Sequence, residues 1–157
     1  QNLFYKEQYY VYVKDNEIVA GMQANPEAWE FLNKSGISGF ILMKVLPLIP
    51  VISKYWKPRN FRFTAMEGIF YKDGHEDIII PLMESVCAIH KNHFIFYWAD
   101  PNSIIYQIIT KPGVQGIMRR FFPAEDIDLC AKFVNWQKEE MDDFIRRTAY
   151  ISCFDST

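Results

Sequence analysis

An α/β (α+β) fold built on a mixed central sheet is predicted by three features: an alternating hairpin at residues 9–22, two strand-like segments at 60–71 and 94–98 with a helix-patterned segment between them, and a second helix pattern from residue 101. The chain has 157 residues, which fits a single domain over residues 1–157. Half of its residues are hydrophobic and 23% are charged, a composition that can bury a core. With 17% aromatic residues, that core or a groove beside it should be rich in rings.

In the hairpin, Tyr10, Tyr12 and the apolar run from Ile18 flank Asp15-Asn16, residues that tolerate the positive φ of a tight turn. Asn25-Pro26 is expected to end the second strand, with a short helix over 27–32 closed by Ser35-Gly36. Residues 37–56 are strongly apolar. Pro47 and Pro50 break the run, so it reads as a buried or groove-lining helix near 39–46 followed by an irregular piece, with a hydrophobic lid as the alternative; no membrane span and no membrane partner are expected.

Residues 60–71 alternate as a long strand, and Lys72-Asp73-Gly74 turns the chain. Ile79, Leu82, Met83, Val86 and Ile89 then fall at three- and four-residue spacing, so a helix is expected to about Lys91 with Pro81 in its first turn. The run 94–98 has no polar alternation and reads as a strand covered on both faces. Asp100-Pro101 reads as a helix N-cap and first position; the helix buries Ile104, Ile105, Ile108 and Ile109 and stops before Pro112-Gly113. A helix between the strands makes them parallel. Two further strands are expected near 127–136 and 148–154, joined by a helical turn over 138–147.

The net charge of −2 provides no basic field for a nucleic-acid backbone. Three cysteines, Cys87, Cys130 and Cys153, without C-x-x-C spacing fit a reducing, cytoplasmic compartment better than a disulfide framework. His75, His90 and His93 have no metal-ligand spacing, so no metal is expected. His90 suits the C-terminal end of a helix, where the dipole favours it. Cys87 shares a helix face with Met83 and reads as core.

The order of elements resembles that of the Gcn5-related N-acetyltransferase (GNAT) superfamily. The text of residues 12–21 is similar to the family's second and third strands, Glu67-Gly68-Ile69-Phe70-Tyr71 to its fourth, and Asp100-Pro101-Asn102-Ser103 to the start of the helix after its fifth. The family's first strand and first two helices have no counterpart; they precede Gln1 in a longer or tandem protein, or the chain is a trimmed variant. The resemblance implies a sheet with splayed parallel strands flanked by helices, and acyl transfer from acetyl-CoA to a small-molecule or peptide amine. It places pantetheine beside Gly68, Ile69 and Phe70, and pyrophosphate near Asp73, Gly74, His75 and Glu76, with Asn102 as a further cofactor contact. It makes Glu67 the base and Tyr106 the acid.

Other readings of these residues stand beside these roles. Glu67 fits a strand-edge carboxylate paired with a cation, Tyr106 an ordinary packed aromatic, and Asn102 a partner for backbone near a helix start. Residues 72–79 depart from the family's phosphate loop, with one glycine and three carboxylates; carboxylates repel pyrophosphate unless they point away. The alternative function is a non-catalytic GNAT-like module that binds a partner through residues 37–56 or supports a domain before Gln1. Homodimerisation also remains open.

Overall fold

Asp15 and Asn16 carry φ of 49° and 65°, so the β1–β2 turn takes the left-handed conformations that these residues tolerate and most others resist. It joins β1 (Tyr9–Lys14) to β2 (Glu17–Trp29) as an antiparallel hairpin. The computed structural model describes residues 6–32, 35–114, 116 and 134–147. The chain divides into two compact units, the first holding residues 1–97 and the second beginning at Trp98.

The first unit is a four-stranded mixed sheet in the order β1-β2-β3-β4, with β3 at Phe61–Tyr71 and β4 at Ile95–Phe96. The first three strands are antiparallel neighbours, and β4 runs parallel to β3, as the intervening helix α3 (Ile79–His90) requires. The protein is therefore a mixed α+β fold.

Two expectations for β2 are corrected. The strand does not end at Asn25-Pro26, and residues 27–29 are strand rather than helix. β2 pairs with β3 from Ala20–Tyr71 through to Trp29–Phe61, while β1 is registered no further than Gln23. Pro26 thus lies where β1 no longer runs alongside, a setting in which a missing N–H is tolerated.

α3 lies against β1, β2 and β3 and buries Ile79, Leu82, Met83 and Val86. It covers the sheet face of Thr64 and Met66, as two contacts locate it. Asn92, just past the helix, donates from Nδ2 to the Phe63 carbonyl (2.9 Å) and to Thr64 Oγ1 (3.1 Å). Lys91 takes the left-handed conformation (φ 55°) that ends the helix, and Asn92 N–H bonds back to the Cys87 carbonyl. At the same end, the ring nitrogen Nε2 of His90 and the Tyr10 hydroxyl share a 3.0 Å hydrogen bond that ties α3 to β1.

The opposite face carries an aromatic cluster. Phe61 touches Phe31, Trp56 and Phe94 with ring centroids 4.8–5.7 Å apart, and Trp29 packs edge-on against Phe63 at 4.6 Å. The uniform apolar run of β4 has its explanation here: Phe94 and Phe96 turn into this cluster while Ile95 between them is 42% exposed. The expectation of a strand covered on both faces is corrected accordingly, and only residues 95–96 pair.

Between β2 and β3 the chain winds through α1 (Gly36–Phe40), a π turn (Ile41–Val45), a 3-10 turn (Leu46–Leu48) and α2 (Pro50–Ser53). The segment starts earlier than the expected helix near 39–46; at Pro47 it tightens to a 3-10 turn, and it breaks at the extended Ile49 just before Pro50. It is not buried: within it, only Gly39 and Trp56 near its end, with Pro58 after it, are.

In the second unit, α4 is Ile104–Ile109. Its N-cap is Ser103, whose Oγ accepts from Tyr106 N–H at 3.1 Å, and not Asp100. Asp100 instead accepts from Asn102 N–H at 2.7 Å in a turn before the helix. Of the isoleucine stripe only Ile108 is fully buried, and Ile104 is exposed. α5 (Lys138–Arg146) occupies the segment expected to be a helical turn and opens with a reciprocal Gln137–Glu140 capping box. Residues 134–136 are not strand; the rest of the two expected closing strands lies outside the described residues.

Candidate functional site

Glu67 is buried on β3 and stands directly opposite Gln23 on β2. Partners in register share a face, so Glu67, Gln23 and, two residues along, Asn25 form a polar group on the face away from α3. All three are buried, and Gln23 Nε2 donates to Asn25 Oδ1 at 3.3 Å. The aromatic rings of Trp29, Phe61, Phe63 and Phe96 continue the same face. A carboxylate and two amides in such surroundings are retained only with hydrogen-bonding work to do. Sequence reasoning singled out Glu67 and missed Gln23 and Asn25. The legible signal was two amides two residues apart in an otherwise apolar strand.

Immediately after Glu67, β3 bulges. Gly21 pairs with Phe70 and Gln23 with Glu67, so Met22 faces both Gly68 and Ile69. Gly68 takes φ 54°, which glycine adopts without strain, and a bulge of this kind bends its strand. The parallel register between β3 and β4 covers only Thr64–Ile95 and Ala65–Phe96, and so stops just short of Glu67. Ile69 is half-buried and Phe70 exposed, with the Phe70 ring lying over Gly21; a Cβ at Gly21 would meet that ring at 2.5 Å and the Tyr10 carbonyl at 3.1 Å.

The loop after β3 is held by its own groups. Lys72 Nζ pairs with Glu17 at 2.7 Å, and this partner, by hydrogen bond and charge, holds the Glu17 carboxyl below its ordinary range. Gly74, at φ 80°, donates its N–H to the Glu76 carboxylate at 3.3 Å. Asp73 is exposed, and His75 and Glu76 are partly so. The Tyr71 phenol is pushed above its usual range, by desolvation first and then by the charges of Glu76 and Asp73. The field that disfavours a phenolate there disfavours a phosphate too.

Asn102 and Tyr106 belong to the second unit. Asn102 is exposed and gives its N–H to Asp100; Tyr106 is half-buried within α4. The first unit thus brings together Glu67, Gly68, Ile69 and Phe70 on one strand, with Asp73, Gly74, His75 and Glu76 on the loop that follows.

Cys87 is half-buried on α3, and desolvation is the main reason its thiol is pushed up, opposed by a hydrogen bond with Thr64 and reinforced by Glu84. The thiolate is the reactive form. Iodoacetamide should therefore modify Cys87 at neutral pH more slowly than a small-molecule thiol, with the gap closing as pH rises. Peptide mapping of the alkylated chain measures this; labelling at the small-thiol rate would contradict it.

No family model matches the chain, and no curated protein or solved structure matches it either.

Proposed function

We propose that this chain has a GNAT-like arrangement and acts as an N-acyltransferase, moving an acyl group from a thioester to a small-molecule or peptide amine. The observation that carries this reading is the position of Glu67: a buried carboxylate on a central strand, one residue before a glycine bulge and just beyond the point where parallel pairing stops. Strands that part leave main-chain groups able to pair with the amides of a pantetheine arm, and a bulge steepens the parting.

The residues present fit the thioester arm of acetyl-CoA and do not fit its pyrophosphate. The loop amide of Gly74 is given to Glu76, and the Lys72 ammonium is held by Glu17. When bound, the thioester supplies an activated acyl carbon. Glu67 takes the proton that the amine gives up as it becomes an amide.

The loop also favours a second reading, a GNAT-like module that binds without catalysis. One titration separates the two. Calorimetry of the folded chain with acetyl-CoA and with S-acetylpantetheine, which has no diphosphate, should give similar affinities, because the loop adds little. Glu76→Gln should strengthen acetyl-CoA alone, by about fivefold to tenfold, as Gly74 N–H is released and a carboxylate removed. No heat with either ligand at millimolar concentration would sink the acyltransferase reading.

A further inference from the structure

We propose that the bent helical segment of residues 36–60 is a surface anchor that seats on an anionic lipid bilayer. Its exposed residues are largely apolar: Ile37 is 82% exposed, Leu48 81% and Val51 73%, with Phe40, Ile41, Val45 and Ile49 also exposed. Isolated exposed apolar residues are ordinary; a contiguous run of this size marks an interaction site.

The charge of the segment selects the partner. It contains Lys44, Lys54, Lys57 and Arg59, all exposed, and no carboxylate. The chain as a whole is −2, so the remaining residues sum to −6. Apolar side chains interspersed with cations suit the boundary between acyl chains and anionic headgroups, where lysine and arginine stems lie along the apolar layer and their charges reach the phosphates. A second copy suits it less. A two-fold contact would set these four cations against their own symmetry mates.

The geometry fits a seat and not a span. Gly36–Leu48 and Pro50–Asn60 meet at 89°, and among the described residues no single helix is long and apolar enough to cross a membrane. Each arm reaches about 20 Å or less against a hydrocarbon core of about 30 Å. Pro47 and Pro50, which led to the expectation of no membrane partner, argue only against a span. The segment is also fastened to the sheet. Trp56 is buried in the aromatic cluster and Phe31 N–H donates to the Pro58 carbonyl at 2.8 Å, while Trp56 Nε1–H donates to the Leu42 carbonyl at 2.7 Å within the segment itself. An anchor held in this way transmits its position to β3, which carries Glu67.

Sedimentation of the full chain with vesicles tests the proposal. Vesicles of phosphatidylcholine with added phosphatidylserine should bind the protein, pure phosphatidylcholine should bind it much more weakly, and raised salt should release it. Ile37→Glu, Leu48→Glu and Val51→Glu should each lower the partition coefficient by about tenfold or more. Lys54→Gln and Lys57→Gln should lower it by about fivefold each. All five positions are exposed, so unchanged thermal unfolding should accompany these losses. The proposal is overturned if the folded chain ignores phosphatidylserine vesicles. It is equally overturned if the glutamate variants bind them as well as the parent does, or if light scattering finds a dimer that those same variants dissociate.

Discussion

Trp56→Ala is expected to destabilise the sheet unit by about 3–5 kcal/mol, the range for removing a large buried aromatic ring. Trp56 is 5% exposed and packs with tilted rings against Phe31 at 5.4 Å and Phe61 at 5.2 Å. Its removal opens a cavity where the helical segment meets the aromatic face of the sheet, and it strips the Leu42 carbonyl of its donor. Trp56→Phe separates the two contributions. It keeps most of the ring contact and loses the N–H, so it should lose about 1–3 kcal/mol. Tyr55, its exposed neighbour, packs edge-on against His93, and Tyr55→Ala should lose less than about 1 kcal/mol. Urea unfolding of the three variants, followed by circular dichroism, gives the comparison. A Trp56→Ala loss no larger than that of Tyr55→Ala would mean that the aromatic cluster does not hold the segment. Trp56→Ala should also weaken vesicle binding if the anchor must be held rigid, although Trp56 itself is buried.

The local elements were legible where local chemistry decides them. Asp15-Asn16 specified a turn that needs positive φ, and the spacing of Ile79, Leu82, Met83 and Val86 specified the buried face of α3. Legibility failed where long-range pairing overrode local preference. Residues 27–29 read as helix in isolation, yet they are held extended by Phe61, Arg62 and Phe63 across the ladder, more than thirty residues away in sequence. The run 94–98 read as a doubly covered strand because sequence hydrophobicity does not say which partner buries a side chain, and here a ring cluster on one face does so. The helix start moved from Asp100 to Ser103 because both are good caps and only the three-dimensional turn decides between them. Within the candidate site, Glu67 was singled out through the resemblance, which places a base on that strand; the residue by itself fitted an ordinary paired carboxylate equally well. The amides of Gln23 and Asn25 stood in the text of the strand, but that Gln23 meets Glu67 did not, because it depends on the register of β2 against β3.

Glu67→Gln should lower kcat for acyl transfer by about 100-fold to 10,000-fold, the usual range for loss of a general base, with KM for the amine little changed. The acceptor is found first by screening small and peptide amines against a thioester donor and following release of thiol. Glutamine matches the shape of glutamate and keeps an acceptor oxygen opposite Gln23, so the variant should remain folded and as stable as the parent. A structural carboxylate predicts something different: a change in stability with kcat unaltered. Glu67→Asp sharpens the distinction. It retains the carboxylate but withdraws it by one methylene from a strand whose direction is fixed by the bulge, so transfer should fall by an intermediate factor, about tenfold to 100-fold. A base acting through position and proton affinity requires that order, parent above aspartate above glutamine. If Glu67→Gln retains the parent rate on any amine that the parent acylates, Glu67 is not the base, and the buried amides of Gln23 and Asn25 would then have to be explained by binding alone.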